Sequence, residues 1–163
     1  MNTIQLFKSV KNGNLKEVIN FVEAGVDIHI KNNFSLRCAS ENGHLEIVKY
    51  LVEHGADIHA CNDYSLRWAT IYKHYDIVKY LVKQGANIHA ENDWAIRWAS
   101  QYDHLELIKF LVENGANIHV DNNFCIRMAL KNGYLNIINF LVENGANIDE
   151  DNNSYNMAYI NGI

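Results

Sequence analysis

NNFSLRCASENGHLEIVKYLVEHGADIH, residues Asn32 to His59, is text that the chain writes again with small changes every 30 residues. Gly25, Gly55, Gly85, Gly115 and Gly145 mark the period. A fixed period of about 20–50 residues is the signature of a solenoid, whose units bury their apolar faces only by stacking on one another. Within the quoted unit, Leu36, Ala39 and Ser40 follow at helical spacing in a short first helix, which the side chain of Asn32 or Asn33 is expected to cap. A turn at Asn42 and Gly43 leads to a second helix. There Leu45, Val48, Leu51 and Val52 share one face, and Glu46 and Lys49 form an ion pair outside it. Gly55 suits the left-handed residue that closes a helix, and Ala56-Asp57-Ile58-His59 is expected to cross to the next unit in extended form.

The fold class is therefore all-α, a stack of helix-turn-helix units. Small residues on the first helix against larger ones on the second make each unit a wedge, so the first helices are expected to line a concave side, where ligands of solenoids sit. One domain over residues 1–163 is expected, with repeats at about 1–30 (an N-terminal cap, its apolar spacing kept by Ile4, Leu6 and Val10), 31–60, 61–90, 91–120 and 121–150, and a partial C-terminal unit at 151–163.

Composition removes several classes of function. A net charge of -5 offers no overall positive field for nucleic acid or an anionic membrane surface, so neither is expected as a partner. No apolar run approaches the roughly 18 residues that span a bilayer, and the first residues lack the apolar core of a secretory signal, which points to a soluble cytoplasmic protein. Cys38, Cys61 and Cys125 form no C-x-x-C pair, so reduced thiols are expected. The periodic histidines, His29, His59, His89 and His119 in the loops and His44, His74 and His104 before the second helices, cannot converge on one ion. Equivalent residues of stacked helices stand roughly 8–10 Å apart, whereas a zinc ligand needs about 2 Å. No nucleophile elbow, zinc-protease helix, dinucleotide fingerprint or phosphate loop is present, so no catalytic residue, metal or cofactor is expected.

What varies along the repeat is more telling. All the arginines, Arg37, Arg67, Arg97 and Arg127, occupy one repeat position, which asks for a planar fork of donors. Either each guanidinium bonds backbone carbonyls of the adjoining loop, helped by Asp63 and Asp93 in the middle units, or the four form a basic ladder for an acidic partner. The middle units also carry Tyr64, Trp68, Ile71, Tyr72 and Trp94, Trp98, Tyr102 on or just after their first helices. Trp68 and Trp98 are expected in the core, as partners of i, i+4 aromatic pairs with Tyr64 and Trp94. Lys73 and Asp103 replace the turn glycine of Gly13, Gly43 and Gly133.

GHLEIVKYLVEHGADIHA, residues 43–60, resembles the second helix and loop of an ankyrin repeat, and HYDIVKYLVKQGANIHA and HLELIKFLVENGANIHV repeat it. The family's usual period is about 33 with T-P-L-H-x-A opening the first helix; here the equivalent runs are FSLRCA, YSLRWA, WAIRWA and FCIRMA. The resemblance implies an ankyrin-repeat solenoid with short connecting loops in place of long β-hairpin fingers. It further implies a noncatalytic protein-interaction module, expected to be a monomer. On that reading Tyr72, Tyr102, Trp94 and Tyr64 supply binding energy beside Ile71 and Gln101, Asp63 and Asp93 supply orientation, and Cys61, Glu91 and Asp121 on the finger tips add selectivity. The short, proline-free form resembles the ankyrin proteins of giant DNA viruses of the mimivirus type, which implies a viral protein acting on a host protein in the host-cell cytoplasm. The alternative is a structural spacer with no ligand of its own.

Overall fold

Leu36 on a first helix and Leu51 on the second helix of the same repeat are both fully buried, and their equivalents one repeat on, Leu66 and Leu81, are at most 1% exposed. The computed structural model describes residues 2–148, so the expected unit at 151–163 lies outside the described residues. They fall in two compact units that divide between Asn87 and Ile88. The first holds α1 (Asn2–Lys11), α2 (Leu15–Glu23), α3 (Ile30–Glu41), α4 (Leu45–Glu53), α5 (Ala60–Ile71) and α6 (Tyr75–Lys83). The second holds α7 (Ala90–Gln101), α8 (Leu105–Glu113), α9 (Val120–Asn132) and α10 (Leu135–Glu143). The fold is all-helical, and no strand occurs among the described residues.

In the first unit α3 packs between α1 and α5, and α4 between α2 and α6. In the second, α7 packs on α9 and α8 on α10. Within each unit the first helices thus form one layer and the second helices another. The second-helix ridge is Ile47, Val48 and Leu51, repeated as Ile77, Val78 and Leu81 and as Leu107, Ile108 and Leu111. Leu45 and Val52, expected on that face, are only half-buried, because a short helix turns its first and last residues toward the loops. Full burial of such a side chain stabilises by roughly 1.5–3 kcal/mol, so each repeat's ridge outweighs any single polar contact nearby. The ion pair Glu46–Lys49 forms at 2.8 Å on the exposed side.

Each second helix ends in a Schellman motif. In α4 the Ala56 N–H donates to Leu51 O at 2.9 Å and the Gly55 N–H to Val52 O at 3.0 Å, with Gly55 at φ 91. The first helices close in the same way, and Lys73 (φ 62) and Asp103 (φ 60) are left-handed there despite carrying side chains. At Gly43 two demands meet: φ is 79, and a Cβ would stand 2.6 Å from Cε1 of His74. That imidazole donates from Nε2 to Glu41 O at 3.1 Å. His44 does the same to Lys11 O at 3.0 Å, and in the second unit the Tyr134 hydroxyl donates to Gln101 O at 3.4 Å.

The entry to each first helix differs from expectation. The extended crossing ends at Asp57, whose Oδ1 accepts the His59 N–H at 2.9 Å and turns the chain. Three successive residues then adopt left-handed geometry: Lys31, Asn32 and Asn33 in one repeat, then Cys61 to Asp63, Glu91 to Asp93, and Asp121 to Asn123, all with φ between 51 and 58. Neither Asn32 nor Asn33 caps its own helix. A left-handed residue costs roughly 1–2 kcal/mol, less for Asn and Asp, so a run of three needs support from outside the local backbone.

Candidate functional site

The guanidinium supplies part of that support. Nε of Arg37 donates to Asn32 O and Nη2 to Lys31 O, and Arg67, Arg97 and Arg127 repeat the pair on their own turns, all at 2.8–3.1 Å. A lysine ammonium could not hold two carbonyls in one plane at fixed spacing. Aromatic rings flank the guanidinium faces: Arg37 Cζ lies 4.9 Å from the Tyr64 centroid and 5.8 Å from that of Phe34. In the second unit Phe124 lies 5.7 Å from Arg97 Cζ and 5.8 Å from Arg127 Cζ.

Asp63 and Asp93 supply the rest. Asp63 Oδ1 accepts the Asn87 N–H at 2.8 Å, and Asp93 Oδ1 accepts the Asn117 N–H at 3.2 Å. Nδ1 of His59 and of His89 donates to the same two oxygens at 3.1 and 2.7 Å. Asn33 makes the equivalent bonds to Asp57 and His29. With Asp63 at 4% exposure and Asp93 at 7%, these carboxylates are buried against the loops of their own units. The burial follows from the left-handed turn, which swings the third residue inward.

The aromatic side chains are arranged along the outer edges of the first helices. In the first unit Tyr64 stacks on Trp68 at 4.0 Å and an interplanar angle of 13°, and the Tyr64 hydroxyl donates to Glu41 Oε2 at 3.5 Å. Burial, with Glu41 nearby, raises the Tyr64 phenol above its usual 10.0. Tyr72 caps α5 and is 50% exposed. In the second unit Trp94 stacks on Trp98 at 5.0 Å, and Trp98 meets Tyr102 at 4.3 Å, so three rings run up α7 at i, i+4 and i+8. Tyr102 caps that helix and is 44% exposed. Trp68 and Trp98 are half-buried, not core residues as expected, since the small Ala69 and Ala99 beside them take the fully buried positions.

Ile71 and Gln101 are half-buried. Cys61, Glu91 and Asp121 are exposed, each opening its left-handed turn. The signal for these turns was present as Asn32-Asn33, Asn62-Asp63, Asn92-Asp93 and Asn122-Asn123, since Asn and Asp are the residues that tolerate this conformation. Among the described residues no group of three His, Cys, Asp or Glu side chains comes together as a metal would require. The thiols of Cys38 and Cys125 are buried, and burial pushes Cys125 up to about 11.

No curated protein matches the chain. A family model described as ankyrin repeats (3 copies) matches residues 6–92 and 91–152. With the helix pairs, the glycine-closed turns and this match in agreement, the chain belongs to the ankyrin-repeat family.

Proposed function

We propose that the chain is a noncatalytic scaffold that holds a partner protein, with Tyr72 in the first unit and Tyr102 in the second as its principal anchors. Ankyrin repeats are generally protein–protein interaction modules and typically noncatalytic, which supports the class of function. The observation that carries the choice of residues is exposure. Tyr72 at 50% and Tyr102 at 44% present large rings to solvent at the same repeat position, where neighbouring repeats place Asn42 and Asn132. Exposed tyrosines held by their own helix lose little freedom on binding and are frequent interface hot spots. Tyr64 and Trp94, half-buried in their stacks, add contact area beside Ile71 and Gln101, and Cys61, Glu91 and Asp121 add selectivity at the turn tips.

The protein is read further as one repeat domain acting as a monomer in the cytoplasm. No helix among the described residues is long and apolar enough to cross a membrane, which is compatible with that reading. The likeness of its short repeats to those of giant DNA viruses supports a viral source and a host protein as partner.

The test is affinity capture from a eukaryotic cell lysate with the intact chain and a Tyr72→Ala, Tyr102→Ala double variant shown by circular dichroism to be folded. A protein retained by the first and lost from the second supports the scaffold and its anchors. Equal capture moves the site to the turn tips, and no capture by either favours a spacer without its own ligand.

A further inference from the structure

Arg97 does more than clamp its own turn. Its Nη1 lies 3.7 Å from Oδ2 of Asp121, the residue that opens the following left-handed turn. Arg37 sits in the same setting within the first unit. It holds its own turn with Nε and Nη2, it lies under the aromatic ring of the following repeat, and α5 packs against α3 as α9 packs against α7. The residue that opens the following turn there is Cys61, with φ 55 and ψ 48, close to the φ 51 and ψ 55 of Asp121. Cys61 brings no carboxylate. In sequence register acids hold the corresponding place after the other arginines, as Glu91 and Asp151 after Arg67 and Arg127. Arg37 is the exception, and among the described residues its Nη1 has no hydrogen-bond or ion-pair partner.

We propose that the Nη1 edge of Arg37 is a docking point for an Asp or Glu side chain of the partner protein, which takes the place that Asp121 takes on Arg97. The inference rests on the scaffold reading above and names the chemistry of the group that the first unit receives. The guanidinium is already fixed by two carbonyls and two aromatic faces, so an incoming carboxylate meets a donor that has lost its rotamer freedom. Charge at the turn tips favours the same occupant: the first unit opens its turns with Lys31 and Cys61, the second with Glu91 and Asp121. Two acids of the first unit are engaged elsewhere, Glu41 by the Tyr64 hydroxyl and Asp57 by the His59 N–H.

The experiment titrates the full chain, labelled with nitrogen-15, with N-acetyl-aspartate N-methylamide, following the Nε–H signals of the four arginines. The neutral asparagine analogue serves as control. The expected result is a saturable shift of Arg37 with the aspartate probe alone. In the Cys61→Asp variant, which supplies the carboxylate from within and keeps the clamp, that shift falls by about fivefold or more because the internal acid acts at high effective concentration. An unmoved Arg37, equal movement of all four arginines, or an undiminished shift in Cys61→Asp would overturn the proposal. None of these results touches the scaffold reading, which stands or falls on tyrosine-dependent capture.

Discussion

Asp63 Oδ1 accepts the backbone N–H of Asn87 at 2.8 Å, tying a left-handed turn to the loop that follows α6. The carboxylate is 4% exposed and also receives the His59 ring, so its removal takes the acceptor from the Asn87 N–H and loosens the turn together. Asp63→Ala is expected to lower the unfolding free energy by about 2–3 kcal/mol. Asp63→Asn, which copies Asn33, is expected to cost less than about 1 kcal/mol. Urea denaturation of the two variants checks both values, and equal losses would show that charge rather than the oxygen's position is what matters.

Arg67 bonds two neutral carbonyls, at 2.9 Å each, so its contribution is geometric. Arg67→Lys keeps the charge and loses the fork, with an expected cost of about 1–2 kcal/mol. Because Arg67 makes no ion pair among the described residues, the loss should persist in about 1 M NaCl, where the screening length is about 3 Å. A cost that disappears in salt would point to an electrostatic role.

Gly43 and Gly55 share positive φ, 79 and 91, but only at Gly43 would a Cβ meet a neighbour, Cε1 of His74 at 2.6 Å. Both alanine variants are expected to lose about 1 kcal/mol from the backbone conformation, and Gly43→Ala should lose at least as much again from displacing the imidazole. Conversely Lys73→Gly, which relieves a side chain at φ 62, is expected to stabilise by roughly 0.5–1 kcal/mol. Thermal melts of the three variants should place them in that order.

Cys125 is fully buried, and burial lifts its thiol from 9.0 to about 11 in the folded state. A group whose pKa is raised by folding contributes stability below its unfolded pKa and loses it as pH rises through the folded one. The thiol's share should therefore be complete below pH 9 and fade toward pH 11. Comparing Cys125→Ala with the parent chain in urea at pH 8 and pH 10.5 checks this, the difference between them narrowing at the higher pH. At pH 8 a thiol reagent should label Cys61, which is exposed, and spare Cys125.

Much of this architecture was legible in the residues. Helix pairing, the closing glycines and the ridge residues Val48 and Leu51 follow from local spacing, because a helix of 3.6 residues per turn converts spacing directly into a face. The aromatic pairs Tyr64–Trp68 and Trp94–Trp98 were legible for the same reason. Their burial was not, since whether a ring at a helix edge is covered depends on what the next repeat sets beside it.

The sequence by itself determined the period, the all-helical class and the repeat position that demands arginine. Tertiary structure alone decided that Asp63 and Asp93 face inward and that Arg97 has the Asp121 carboxylate as a neighbour. The physical reason is distance along the chain. A face is written within a few residues, whereas a buried polar group is defined by a partner such as Asn87 or Asn117 that only packing brings within reach.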